Sequence, residues 1–312
     1  MLKQQLRRKL KYTFKKNLEQ PKRFFVFLLA RFQFIRVLYS RFLLKSADFE
    51  VSSISRSMFN DLNVKEIVET LQNDGIYAGI VLPNHILANI LNYTNSYNCF
   101  AGGRTDLGFK ISNKDQFKEI FDQPFYTARY FNVSIDCPSV LELANDPVIQ
   151  EIASNYIGLP AKYTGASLFW TFPTQVTTFD HEQQYFSHFH YDLDDFASVR
   201  FCFYLSHVTV KSGAHVCIRG SHRKKSLLHV LNYFSRTQSE QKLAEFYGLE
   251  QFITLIGEAG FGFIEDTFCF HRGTVPETEP RLFLQLHFAA NRYSSVEYHE
   301  YRAPNLIRSF SS

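Results

Sequence analysis

Apolar positions recur at helical spacing in the first half of the chain and form strand-like runs in the second. From Val64 to Gln72, the residues Ile67, Val68 and Leu71 mark one face of a helix, and Asn73-Asp74-Gly75 ends it in a turn. A short apolar strand, Ile76 to Leu82, stops at Pro83, and residues 84 to 97 again read as helix. Asp146 and Pro147 open a further helix that runs through Tyr156 and closes at Gly158. Beyond it, Ser167 to Phe172, Val199 to Leu205, Ala214 to Ile218, Phe261 to Ile264 and Leu282 to Ala289 are apolar, aromatic runs separated by turn-forming or charged stretches. The basic stretch Arg219 to Lys225 and the helical-looking Ser226 to Tyr247 interrupt these strands once.

Helices first and antiparallel strands second predict a mainly β protein, a sandwich or jelly roll whose flanking helices lie mostly N-terminal to the barrel. At 312 residues and 45% hydrophobic content the chain can build one substantial core, expected over residues 51–312, with residues 1–50 as an attached segment. The 33 Phe and 17 Tyr suit that reading, because aromatic side chains pack well on pleated surfaces. Cys99, Cys137, Cys202, Cys217 and Cys269 form no C-x-x-C pair, which argues against a disulfide framework or a thiolate zinc site and predicts a reduced, cytoplasmic setting.

Charge changes the picture at the N-terminus. Residues 1–45 hold 13 Lys or Arg against Glu19 alone, a formal +12 in a chain whose total is +4, so the remainder carries −8. The run Phe24 to Leu44 matches the length of about 20 residues that crosses a bilayer. Arg31, Arg36 and Arg41 interrupt it, and each costs roughly 2.5–3.5 kcal/mol near the membrane centre, so a span is rejected. The segment is not a secretory signal either, since positive charge continues through its apolar part and no small-residue cleavage site follows. Two readings stay open: a peripheral contact with the membrane surface, or a helix docked on the domain with a solvated basic side. No nucleic-acid-reading motif accompanies the charge, and no nucleic-acid partner is expected.

Candidate chemistry concentrates in Ser187-His188-Phe189-His190-Tyr191-Asp192-Leu193-Asp194-Asp195. On a strand, alternate side chains share a face, so His190 and Asp192 can reach one ion, and His271 stands where a third ligand can join them. Two imidazoles and one carboxylate on one side of a metal leave three positions open, the arrangement of non-haem iron(II) oxygenases. Those positions suit a chelating 2-oxo acid and then dioxygen. Arg281 follows His271 by ten residues across a turn with Gly273 and Pro276, which allows it to lie on the next strand and offer a two-pronged contact to a distant carboxylate. Arg281, Phe283, Gln285 and His287 are expected on one inward face.

The segment His190-Tyr191-Asp192-Leu193-Asp194-Asp195, with Phe203-Tyr204-Leu205, Gly213-Ala214, Arg219-Gly220-Ser221-His222 and the later His271-Arg272-Gly273 through Arg281, resembles the phytanoyl-CoA dioxygenase family over roughly residues 60 to 292. The resemblance implies a double-stranded β-helix that binds iron(II), 2-oxoglutarate and dioxygen, with His190, Asp192 and His271 as ligands and Arg281 on the co-substrate. It implies hydroxylation of a small-molecule, lipid-linked or glycan-precursor substrate, and the Asp192 carboxylate, which related halogenases lack, points the same way. His207 departs from an aspartate common in relatives and Ala214 from a proline, and both are expected to alter packing only.

Secondary pocket candidates are Trp170 and Thr171, flanking the co-substrate, with His188, Gln285 and Ser221 on the pocket wall. His181 reads as a loop residue and His287 as barrel lining. Arg223, Lys224 and Lys225 read as a solvated loop or, less simply, as contacts for an anionic substrate. Two rival functions use the same residues: a zinc hydrolase, which needs a general base in the pocket, and a non-catalytic, membrane-associated ligand-binding protein.

Overall fold

The structure is a computed structural model that describes residues 25, 26, 28–43, 56–121, 125–173, 187–231, 239–292 and 303. His181, most of the basic segment 1–50 and the middle of the Ser226–Tyr247 excursion lie outside them. Helix α1 (Gln33–Leu43) precedes α2 (Val64–Asp74), β1 (Ile76–Val81), α3 (Asn84–Ser96), β2 (Cys99–Ala101), β3 (Gly108–Phe109), α4 (Lys114–Phe121) and β4 (Thr127–Arg129). Then come α5 (Val133–Asp136), α6 (Pro138–Ala144), α7 (Pro147–Ile157), β5 (Lys162–Thr171), β6 (Ser198–Tyr204) and β7 (His215–Ile218). Helices α8 (Leu227–Leu231) and α9 (Glu240–Tyr247) lead into β8 (Phe252–Leu255), β9 (Phe261–Glu265), β10 (His271–Gly273) and β11 (Arg281–Ala289).

Local signals explain the helix ends. The Asn63 side chain accepts from Glu66 N–H to start α2, and Gly75 ends it at φ 75° in the left-handed region. A side chain at Gly75 would also stand 2.3 Å from Cys269 Sγ and 2.5 Å from His222 Nδ1, so glycine lets the helix end press against the segment that leads to His271. Asp146 caps α7 through Val148 and Ile149 N–H and also holds Ser57 Oγ at 2.8 Å and Met58 N–H at 2.8 Å.

Eight strands form one sheet in the order β1-β9-β6-β11-β5-β4-β2-β3, and three form a second in the order β10-β7-β8, with antiparallel pairing throughout. This is the expected jelly roll. Strand β11 sits between β5 and β6 and shows how the layers arise. Its Leu282, Leu284, Leu286 and Phe288 join the core shared with helices α2, α3, α6 and α7, through residues such as Ile67, Ile90, Leu143 and Ile152. The alternate positions look toward the small sheet, where Phe283 packs with Phe169, Tyr204, Phe263 and Cys217.

Strand β5 begins five residues before the apolar run that announced it, at Lys162, because the mixed Lys-Tyr-Thr-Gly start hides its alternation. Strands β2, β3, β4, β8 and β10 have two to four residues each, too few for a period to show. Among the described residues of the excursion after β7 there are helices α8 and α9, in the region the sequence read as helical.

Candidate metal centre

His190 and Asp192 do not lie on a regular strand. His190 makes an isolated antiparallel pairing with His271, by His190 N–H to His271 O at 3.0 Å and His271 N–H to His190 O at 2.8 Å. Asp192 N–H donates to Thr267 O at 2.8 Å, two residues out of that register, so the regular pairing stops at His190. The side-chain period of two still survives locally, with 190 and 192 facing one way and Phe189, Tyr191 and Leu193 facing the other. His271 opens β10, where the sequence had placed it near the end of the preceding strand. The break falls at Asp266-Thr267-Phe268, where Asp266 accepts Phe268 N–H at 2.9 Å and turns the chain from the large sheet to the small one.

One donor atom from each of His190, Asp192 and His271 lies within 4.8 Å of the others, and His271 Nε2 stands 3.8 Å from Asp192 Oδ2. His190 Nδ1 donates to His188 O at 2.9 Å and His271 Nδ1 to Cys269 O at 3.0 Å. Each bond fixes the proton on Nδ1 and leaves Nε2 as a bare donor, the tautomer a metal requires. The set of two nitrogens and one carboxylate, buried or half-buried, fits a divalent transition metal.

Two charged side chains and one imidazole that the sequence reading passed over surround this set. Arg200 Nη2 lies 2.7 Å from Asp192 Oδ2 and 2.7 Å from Asp194 Oδ2, and so fixes the orientation of the Asp192 carboxylate. Burial opposes its charge, but the two aspartates override that and raise its pKa above the ordinary value. Glu265 is enclosed between imidazoles, with Oε2 2.9 Å from His215 Nε2 and Oε1 3.5 Å from His271 Nδ1. Burial alone would raise its carboxyl, yet His271 and His215 hold it down at about 2, and it lies directly behind His271. His215 is itself pushed below the usual imidazole range, first by burial, which outweighs the pull of Glu265. A charge inside an apolar strand run, as in Ser-Val-Arg-Phe-Cys-Phe-Tyr and Phe-Gly-Phe-Ile-Glu, is the signal that marks Arg200 and Glu265.

Arg281 begins β11 and is 5% exposed. It donates through Nη1 to Gly213 O and through Nη2 to Thr171 Oγ1 at 3.4 Å, and lies against the Phe283 ring at 4.8 Å. Its Nε has no hydrogen-bond partner, and among the described residues no carboxylate pairs with it. A cation buried without a counter-charge is costly, and this one is set to receive an anion. Gly273 makes the approach feasible, since a side chain there would meet Arg281 Nη2 at 3.2 Å. Arg281 thus faces the same interior as His215, which stacks on His271 with ring centroids 5.5 Å apart.

The other sequence candidates separate. Thr171 pairs with Arg281 in register and touches it. Trp170, one residue earlier, turns to the opposite face and gives its indole N–H to Tyr130 OH at 3.2 Å in the helix-covered core. Gln285 looks inward opposite Ser167 and Cys202, and His287 Nε2 lies 3.4 Å from Ser167 Oγ. His188 has an exposed side chain and serves the site through its carbonyl. His207 reaches outward to Glu258 Oε2 at 3.0 Å, and Ala214 is buried.

Ser221 holds the backbone and not a ligand. Its hydroxyl donates to Ile218 O at 2.7 Å and accepts Phe270 N–H at 2.8 Å, one residue before His271. Lys225 braces the same turn by donating to Ser221 O at 2.7 Å and to Phe268 O, beneath the rings of Tyr191, Phe268 and Phe270. Burial pushes the Lys225 pKa down to about 7. Ser221→Ala strands a buried N–H and is expected to cost about 1–3 kcal/mol, seen as a lower urea midpoint at unchanged slope.

The sequence matches no protein-family model and no curated protein. The fold does match solved structures. One is EctD from S. alaskensis with bound Fe, at 14% identity over 78% of this chain and 86% of that one, TM-score 0.52. Another is the epimerase SnoN in complex with Fe3+, alpha ketoglutarate and nogalamycin RO, at 14% identity over 72% of this chain and 82% of that one, TM-score 0.50. These likenesses place the chain in the jelly-roll architecture of such enzymes and do not reach the phytanoyl-CoA dioxygenase family itself.

Proposed function

We propose that this protein is an iron(II)- and 2-oxoglutarate-dependent oxygenase that hydroxylates a small-molecule, lipid-linked or glycan-precursor substrate. The observation that carries the reading is the pairing of a three-donor His/Asp/His set with a buried, anion-free arginine in one interior. His190, Asp192 and His271 hold the iron, Arg281 takes the far carboxylate of 2-oxoglutarate with Thr171 beside it, and Phe283 and Phe263 exclude water between them. The bound iron and co-substrate supply the oxidising chemistry, and the protein contributes orientation. The Fe3+ and alpha ketoglutarate held by the SnoN epimerase on a similar fold support this cofactor pair, and Asp192 supports hydroxylation as the outcome.

A zinc hydrolase is disfavoured by the carboxylates around the set. Asp194 is bound by Arg200, Asp195 by Asn291, Glu265 by two imidazoles and Asp266 by Arg36, so among the described residues none of these carboxylates stands ready as a general base. The test is succinate formation from 2-oxoglutarate by anaerobically purified protein supplied with Fe(II) and then oxygen. Iron-dependent succinate release that zinc does not support is the expected result. Protein that retains zinc and yields no succinate with any acceptor sinks the proposal.

A further inference from the structure

The N-terminal helix is turned inside out. Arg31, just before α1, is 6% exposed, and Arg36 within it donates from Nε to Phe196 O at 2.9 Å, pairs with Asp266 at 3.2 Å and covers the Phe268 ring at 4.1 Å. Tyr39 stacks on Phe196 with centroids 4.7 Å apart. Val26 and Ala30, upstream, join the apolar cluster on the reverse side of the two ligand-bearing segments, with Phe189, Tyr191, Phe268 and Phe270. Arg31 and Arg36 thus point inward. Three large apolar side chains point out: Phe34, Val37 and Leu38, at helical spacing, are 68%, 41% and 49% exposed, and Phe25 and Leu29 upstream are also exposed. Leu227, at the start of α8, borders the same depression as Phe34.

A soluble surface helix normally shows its charges to water and its apolar residues to the core. The reverse pattern, on contiguous turns, marks a surface that requires an apolar partner. The partner is defined by charge, because this face belongs to a segment with 13 Lys or Arg and a single acid in residues 1–45. We propose that the outward face of α1 docks on an anionic lipid bilayer, with Phe34, Val37 and Leu38 entering the acyl boundary and the net positive charge of residues 1–45 favouring an anionic surface. Docking on the domain and contact with a membrane are then two faces of one helix. Among the described residues no helix is long and apolar enough to cross a membrane, which agrees with a helix lying in the interface plane.

Sedimentation of the full chain with phosphatidylcholine vesicles, with and without phosphatidylglycerol, tests this. Wild type is expected to sediment with the phosphatidylglycerol vesicles, less so in high salt, and weakly with phosphatidylcholine alone. Phe34→Glu with Leu38→Glu should lower partitioning by about tenfold or more, and the milder Phe34→Ser with Leu38→Ser should lower it in the same direction. Leu249→Glu, at another exposed apolar position, should leave it unchanged. Metal-dependent thermal stabilisation of each variant verifies that it is folded. Failure of wild type to bind, equal binding by the Phe34 and Leu38 variants, or a wild-type dimer that those variants dissociate in the absence of lipid overturns the proposal.

Discussion

Asp192→Ala is expected to abolish metal binding while leaving the fold in place. Wild-type protein titrated anaerobically with Fe(II) gains thermal stability, by about 2.7 kcal/mol when the free metal reaches 100 times its dissociation constant, and the variant gains none. Asp192 is the one anionic member of the donor set, so its loss leaves two neutral imidazoles that hold a divalent ion poorly. The variant remains interpretable because Arg200 keeps its contact with Asp194 at 2.7 Å and no buried guanidinium is stranded. Asp194→Ala is the matched control: it leaves Arg200 on Asp192 and should retain metal binding. Equal stabilisation of wild type and Asp192→Ala by Fe(II) would remove His190, Asp192 and His271 from the metal site.

Arg281→Leu should separate co-substrate from metal. Truncating one side of a buried, charge-assisted pair costs about 2–5 kcal/mol, or roughly 30- to 5000-fold in affinity for 2-oxoglutarate. The metal-dependent thermal gain should persist, and the additional gain from 2-oxoglutarate or its unreactive analogue N-oxalylglycine should vanish. Arg281→Lys should recover little, because a compact ammonium cannot reproduce the planar fork that reaches Gly213 O and Thr171 Oγ1 while facing a carboxylate. Unchanged 2-oxoglutarate binding in both variants would place the co-substrate elsewhere in the barrel.

Much of this arrangement was legible before any coordinates. The cap at Asp146, the stops at Gly75 and Gly158 and the alternation along Arg281–Ala289 are local properties, and local geometry decides them. The His190/Asp192 pair was legible as well, since a two-residue step keeps side chains on one face even across an isolated bridge. Trp170 was misplaced for the same reason in reverse: the face on which a strand residue falls depends on register, and Trp170 pairs with Leu282 while Thr171 pairs with Arg281. Ser221 read as pocket wall and Lys225 as a solvated loop or substrate contact because their actual partners, the backbone of Phe268 and Phe270, are distant in sequence.

The amino-acid sequence by itself determined the helix-then-strand order, the donor types at positions 190, 192 and 271, and the guanidinium at position 281. Tertiary structure alone decided which of those donors converge, and it placed Arg200 and Glu265 beside them through the register Arg200–Glu265 between β6 and β9. It also turned Arg31 and Arg36 inward and Phe34, Val37 and Leu38 outward. The division has a physical cause. Propensity, capping and side-chain period act over a few residues of chain, whereas burial, ion pairing and sheet register arise only when segments far apart in sequence compete for the same space.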